Sequence, residues 1–459
     1  MKKASPPPIA DSIVDTIGNT PIVRLKCLSH LKGQYFAKLE SFNPGRSSKD
    51  RIATTIIDDA EKKGLIKPGG TIIEATSGNT GLGLALVGIQ RGYKVILVMP
   101  DKMAPDKMNL VKAMGCEVHV CPTEVEPDDP KSYYSVSKKL AEEIDGSFYA
   151  NQYHNEANPR GHYQTTGPEI WMQTEGKITH YLAGVGTGGT ISGASRYLKE
   201  QNPKVKTIGI DPKGSILAHF HKYRNMDIEA HGYKVEGVGE DIIPTNVHFD
   251  LIDEMVTVGD KESFEWTRKL ALTDGILGGS SSGLAVAGME KYFQTHQSDD
   301  VFAVVVLPDT GERYLGRVFS DAWMRANGFM PNPNSISDLL AAKSANLPPL
   351  IYLSPENTIR EGLEKIRKFR MENLLIETSS GEFRLITDQQ IYNEFLKGAP
   401  NSTKLSALES HPLDSIDISS SLKELKTLIL EKRNLLVTDA GKIVGILTIE
   451  DLMDNLSFD

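Results

Sequence analysis

Residues 181–193 read Tyr-Leu-Ala-Gly-Val-Gly-Thr-Gly-Gly-Thr-Ile-Ser-Gly (YLAGVGTGGTISG). The apolar start is the size of a strand, and the glycine-rich remainder leads into a stretch with helical spacing. A strand that passes through a glycine loop into a helix is the unit from which parallel α/β sheets are built. The loop is also a literal Gly-x-Gly-x-x-Gly over Gly184, Gly186 and Gly189, and Asp211 closes the next strand about twenty residues on. That pattern matches a dinucleotide fingerprint and would make the protein an NAD-dependent oxidoreductase. Thr187, Thr190 and Ser192 weigh against it. Hydroxyls beside glycine amides at a helix N-terminus suit the dianion of a phosphate monoester.

Outward from this loop the same alternation continues. The runs TIIEAT (71–76), KVILVM (94–99), EVHV (117–120), TIGI (207–210) and FAVVVL (302–307) read as buried parallel strands. Between them lie stretches with helical spacing, such as GLGLALVGIQRGY and PDKMNLVKAMG. The predicted class is α/β with mostly parallel sheets from about residue 45 to 325.

Three more segments rich in Gly, Ser, Thr or Asn lead into predicted helices: NPGRSSKDR (43–51), TSGNTG (76–81) and GGSSSG (278–283). In the first, Lys49 stands at the mouth of a helix. A cation is unfavourable there, because that end of the helix dipole is positive. The same field helps a lysine to lose its proton, as an amine must before it condenses with an aldehyde. An aldehyde cofactor that also carries a phosphate would use Lys49 together with the 186–190 loop. Pyridoxal 5′-phosphate has both groups.

The whole chain bounds the alternatives. Its 459 residues suffice for two or three domains. The net charge of -9 argues against a general role on nucleic acid or anionic membranes. Cys27, Cys116 and Cys121 form no CxxC pair, so neither a disulfide framework nor a zinc knuckle is expected. The start carries no apolar segment of signal-peptide length, and the longest apolar runs are strand-sized. A reduced, cytoplasmic setting is the expectation. His219 and His221 have metal-like spacing without a further ligand, and no metal site is predicted.

NPGRSSKDR, TSGNTG, GTGGT and GGSSSG, in that order, resemble the fold type II pyridoxal-phosphate enzymes of the cysteine synthase and cystathionine β-synthase group. The similarity covers roughly residues 10–327 and implies a catalytic core over 1–327 made of two α/β subdomains. It implies that Lys49 is the lysine that binds the cofactor covalently and later acts as base. Asn79 would bond the ring hydroxyl. Gly186, Thr187, Gly188, Gly189 and Thr190 would cradle the phosphate, and Ser280 would meet the pyridine nitrogen. A hydroxyl at that nitrogen makes a weaker electron sink than a carboxylate would, which favours prompt loss of a β-substituent. Thr76, Ser77 and Thr80 are placed for the substrate carboxylate, with Gln152 added by the resemblance; simple N-capping is the competing role for the threonines.

NQYHNEANPRGHY (151–163), IDPKGS (210–215), EGVGEDIIP (236–244) and FSDAWM (319–324) are similar to the cystathionine β-synthase branch, where Tyr153 would line the site. The implied reaction joins L-serine to L-homocysteine. LPDTGERYLG (307–316) is closer to a cysteine synthase, and Arg46, Ser48 and Glu240 depart from the branch, Glu240 standing where animal enzymes carry a tyrosine. A cysteine synthase using O-acetylserine and sulfide is therefore the alternative. The haem-binding extension of the animal enzymes is missing, and no haem is expected.

Residues 328–349 carry several prolines and read as a linker. Beyond it, NLLIETSSGEFRLIT (373–387) and NLLVTDAGKIVGILT (434–448) align without a gap at an offset of 61 residues. The two copies, over 350–398 and 408–459, resemble a tandem pair of regulatory CBS domains, a Bateman module. In such domains a T-x-x-D at the strand–helix junction binds a ribose, which here points to Thr448 and Asp451. The first copy has Gln390 in place of the acid, so one adenosyl site at most is expected, S-adenosylmethionine being the effector that the resemblance implies. A homodimer or higher homo-oligomer is expected, with the tail as an assembly module the competing role.

Overall fold

Ten strands carry the first half of the fold: β1 (Ile22–Arg24), β2 (Gln34–Leu39), β3 (Thr71–Ala75), β4 (Lys94–Pro100), β5 (Glu117–Cys121), β6 (Ser147–Tyr149), β7 (His180–Gly184), β8 (Lys206–Pro212), β9 (Glu254–Val258) and β10 (Phe302–Leu307). The structure is a computed structural model that describes residues 9–455 except 77, 102, 104, 127, 345–347, 349 and 370. Strands β1-β2-β10-β7-β8-β9 form one sheet and β5-β4-β3-β6 another. Every neighbouring pair is parallel except β1 with β2. The mostly parallel α/β class is therefore observed, divided between two sheets. Burial explains the continuous apolar runs: all five residues of β3 are buried, because helices cover both faces.

The strands absent from the sequence reading have a physical signature of their own. β2 includes Lys38, fully buried and bonded to Glu169 (2.6 Å) and to the carbonyl of Thr20 (2.7 Å). A buried ammonium breaks the apolar pattern that marks a central strand. β1 and β6 are three residues long, too short to show a period.

The chain divides into two compact units between Phe319 and Ser320. In the second unit the repeat becomes two hairpins that share their register over the first four pairs, after which a bulge at Val437–Thr438 shifts the second. Asn373 pairs with Thr387, and Asn434 pairs with Thr448, which reproduces the 61-residue offset. Residues 328–349 are more than a linker, since they contain the helix Ile336–Ser344. Ile336, Leu339 and Leu340 lie at i, i+3 and i+4 and pack with Leu425, Leu435 and Leu447 in the core of the second repeat. The prolines sit on either side of this helix, so proline content alone was a poor guide. Leu405 and Leu408 pack with the first repeat, which therefore extends beyond residue 398.

Candidate active site

β7 ends at Gly184, and helix Gly189–Gln201 starts five residues later. Gly188 takes a left-handed φ of 88° and caps this helix without a side chain, so the first N–H groups have no side-chain partner. A methyl carbon on Gly189 would lie 1.7 Å from Asn158 Oδ1, so the backbone passes where no other residue fits. A cavity opens beside this turn, at the C-terminal ends of β7 and β10. Its walls are Lys49, Gly184, Gly186, Thr187, Gly188, Thr190, Gly237, Val238 and Pro308. Tertiary folding thus brings Lys49 and the phosphate-type loop to one cavity.

The two loop threonines are oriented from behind. Asn158 Nδ2 donates to Thr187 Oγ1 (3.0 Å), which leaves the threonine proton for an anion. His162 bridges Thr166 (2.8 Å) and Thr190 (3.1 Å) through its two ring nitrogens. Burial and, after it, the nearby Arg51 charge bring the His162 pKa down to about 3, so the ring is neutral. An unfolded chain's histidine titrates near 6.5. Between those values the unfolded state binds the extra proton, and stability is lost as pH falls through that window. Urea unfolding at about pH 7 and pH 5 should show His162→Gln losing about 2 kcal/mol less than wild type on acidification. Equal losses would mean that His162 is not a buried neutral base.

Lys49 is the first residue of helix Lys49–Lys62, whose N-cap Ser48 makes no side-chain cap bond. Burial lowers its pKa, while Asp309, Glu240 and Glu40 oppose the shift. Ser280, 2% exposed, opens helix Ser280–His296. Its Oγ accepts the Glu236 N–H (3.2 Å), next to cavity-lining Gly237, and its own proton is free to donate. Asn79 Nδ2 donates to Asp309 Oδ2 (2.8 Å), and its Oδ1 accepts from Arg313.

The substrate residues are arranged less simply than the sequence implies. Thr76 Oγ1 accepts the N–H groups of Gly78 (3.0 Å) and Gly81 (3.4 Å), which is a capping role. Thr80 donates to Gln152 Oε1 (2.6 Å), so these two residues form a pair. Ser77 lies outside the described residues. Tyr153 is buried in a tyrosine cluster, its ring 5.5 Å from that of Tyr134, where burial and then Glu240 push its pKa well up. Asp211, the acid of the dinucleotide pattern, is fully buried and accepts the Ala218 N–H (2.8 Å). One of its oxygens is held by the backbone and the whole side chain is sealed from solvent, so it is not presented to a ribose as the NAD reading requires. His219 bonds Asn225 and His221 bonds the carbonyl of Ile252.

The donor set fits a phosphorylated aldehyde: an amine of lowered pKa, a glycine turn with uncapped amides, and two threonine hydroxyls on one cavity. The family described as pyridoxal-phosphate dependent enzyme matches residues 13–309. This chain belongs to the pyridoxal-phosphate dependent enzymes. Their cofactor is the one the cavity fits, with fold type II architecture as expected. Residues 405–457 match the CBS domain. The chain is 43% identical over 327 residues to cystathionine beta-synthase of Saccharomyces cerevisiae, covering 69% of this chain and 64% of that protein. It is 36% identical over 470 residues to cystathionine beta-synthase of Dictyostelium discoideum, covering 98% of this chain and 92% of that one. The solved structure of O-acetylserine dependent cystathionine beta-synthase from Helicobacter pylori aligns with TM-score 0.62 at 37% identity, over 67% of this chain and 98% of that chain.

In the second unit, the T-x-x-D junction is a capping arrangement. Asp451 Oδ2 accepts from the Thr448 N–H (2.7 Å) and hydroxyl (3.0 Å), and Thr448 Oγ1 accepts the Asp451 N–H (3.2 Å). Thr387 and Gln390 make the same box in the first copy. Asp451 also pairs with Lys343 (2.7 Å), which comes from the helix Ile336–Ser344. Among the described residues no helix is long and apolar enough to cross a membrane.

Proposed function

We propose that the chain catalyses β-replacement, in which the thiol of L-homocysteine takes the place of the hydroxyl of L-serine to give L-cystathionine and water. The shared name of the Saccharomyces and Dictyostelium relatives supports the reaction. The observation that carries the choice of acceptor is the place of Glu240, even though its identity departs from the cystathionine β-synthase branch in sequence. Its Oε1 lies 3.5 Å from where a side chain on cavity-lining Gly186 would begin. A carboxylate beside the cavity suits the ammonium group of an amino-acid thiol, which homocysteine has and sulfide lacks.

Pyridoxal phosphate supplies an electron-withdrawing ring conjugated to the substrate α-carbon. The chain's own groups do the rest. Lys49 holds the cofactor and is the base available for the α-proton. Thr187, Thr190 and the amides from 186 to 190 hold the phosphate. The Ser280 hydroxyl meets the ring nitrogen, and Asn79 the ring oxygen. The Thr80–Gln152 pair, beside the helix start that Thr76 caps, is assigned to the substrate carboxylate, and Tyr153 backs the site.

The test compares kcat/KM for serine with homocysteine and for O-acetylserine with sulfide under one assay. We expect the first pair to be favoured by at least about tenfold, or 1.4 kcal/mol. Glu240→Gln should lower kcat/KM for homocysteine about tenfold and leave sulfide unchanged. A tenfold preference for the second pair would make the protein a cysteine synthase, the reading that LPDTGERYLG favours. The Helicobacter enzyme keeps O-acetylserine in view as donor.

The second unit is proposed as a regulatory module for an adenosyl compound, S-adenosylmethionine first, at Thr448 and Asp451. A ribose there must displace the Lys343 ammonium. Calorimetry on the full chain with S-adenosylmethionine, ATP and AMP should find sub-millimolar binding that Asp451→Ala removes and Lys343→Met tightens several-fold. If none of the three binds, the module serves assembly of a homodimer instead.

A further inference from the structure

Behind the cavity lies a polar cluster that the cofactor roles above do not use. Pro308 lines the cavity, and the next residue, Asp309, accepts from Asn79 Nδ2 (2.8 Å) and from the Tyr314 hydroxyl (2.6 Å). Arg313 donates to Asn79 Oδ1 and to the carbonyl of Gly45 (2.5 Å), in the turn that leads to Lys49. Asp50 accepts the Gly45 N–H (2.5 Å), so both backbone groups of that glycine are held.

A carboxamide has two ends of nearly equal size, and only its partners decide which way it points. Arginine can only donate, and an ionised carboxylate can only accept. In the observed orientation Asn79 satisfies both. Turned over, its oxygen would face the Asp309 carboxylate and its NH2 would face the Arg313 guanidinium. Both contacts would be repulsive, and both groups would lose a charge-assisted bond. With Nδ2 sharing one proton with Asp309, one N–H remains to donate, while the Arg313 guanidinium on Oδ1 draws density from the oxygen's remaining lone pair.

We propose that Arg313 and Asp309 are positioning residues that lock the orientation of the Asn79 carboxamide so that its remaining N–H is the group offered to bound pyridoxal phosphate. The proposal rests on the reading of Asn79 as the contact to the ring oxygen. An amide that donates to that oxygen favours its anion over the hydroxyl, and so biases the protonation state of the bound cofactor. Arg313 is a positioning residue because it acts through Asn79.

The test uses the full-length holoenzyme and two readouts other than turnover: the visible absorption band of the bound cofactor, and the dissociation constant of pyridoxal phosphate by equilibrium dialysis. Arg313→Ala should weaken cofactor binding about tenfold and move the band towards that of Asn79→Ala. Arg313→Lys, which keeps a donor, should restore most of both. In the Asn79→Ala background, Arg313→Ala should change neither. If Arg313→Ala fails to fold, Arg313→Gln serves, because glutamine fills similar space and lets the amide turn. A wild-type band and affinity in the Arg313 variants would overturn the proposal. So would an equal loss with and without Asn79, which would mean that Arg313 acts through the Gly45 turn. An unshifted band in Asn79→Ala alone would instead remove the Asn79 contact on which the proposal stands.

Discussion

Alanine at position 49 should leave a folded protein that holds pyridoxal phosphate only reversibly and has lost β-replacement by more than about four orders of magnitude. Two functions should disappear together, since in the proposed mechanism the same amine attaches the cofactor and serves as base. Folding should survive, because Lys49 is the first residue of its helix and helix formation does not depend on its ammonium. Borohydride reduction of wild type followed by peptide mapping should place the cofactor on Lys49. Lys107 is buried and pairs with Glu236, the neighbour of cavity-lining Gly237, which makes it the control. A tag on Lys107 would overturn the assignment, and activity within tenfold of wild type in Lys49→Ala would do the same.

Arg51→Met should cost about 3–5 kcal/mol of stability, a large fraction of what a folded domain has. Arg51 is fully buried two residues after Lys49, and bonds Glu40 (2.6 Å) and Glu169 (2.7 Å). Lys38 completes the set through Glu169 (2.6 Å), giving two cations and two carboxylates out of water. Although burial opposes ionisation, Arg51 holds the Glu40 carboxyl down at about 2. Removing the guanidinium strands one buried negative charge. The sign with pH follows. In wild type the lowered Glu40 pKa contributes stability at neutral pH that is lost only as pH falls towards about 2. In the variant the Glu40 pKa rises above its unfolded value, so the variant gains relative stability as pH falls. Denaturant midpoints at about pH 7 and pH 5 should show the deficit narrowing on acidification. A constant deficit would mean that lost packing, and not stranded charge, sets the cost. Glu40→Gln in the Arg51→Met background should recover part of the loss.

The α/β class, the glycine turn from 186 to 190 and the serine at 280 were legible because each is local. A strand, a turn that tolerates positive φ and a helix start lie within about a dozen residues, and side-chain chemistry at such a turn follows from its neighbours. Lys49 was legible for the same reason, as a cation at the wrong end of a helix. The 61-residue repeat was legible because matching hairpins must carry matching apolar patterns. The T-x-x-D junction shows the limit of such reading. Thr448 and Asp451 form a capping box, and Thr387 with Gln390 does likewise, so the pattern read as a ribose site is also a helix-initiation signal.

Other features depended on residues far apart in the chain. Lys38 breaks the apolar run of β2, and its place in a central strand makes sense only with Glu169, 131 residues away. The helix Ile336–Ser344 hid among prolines until Leu425 and Leu447 supplied the surface that buries it. Arg313 carries no mark of its role, and its partner Asn79 lies 234 residues earlier. By itself the sequence determined the class of fold and the repeat, and it singled out Lys49 and the turn from 186 to 190, which share one cavity, since these follow from short-range periodicity and backbone chemistry. Only tertiary structure decided which charges are buried together, which way the Asn79 amide faces, and that Asp451 is held by Lys343. Those are properties of contacts a few ångströms long between segments that folding brings together, and no local pattern records them.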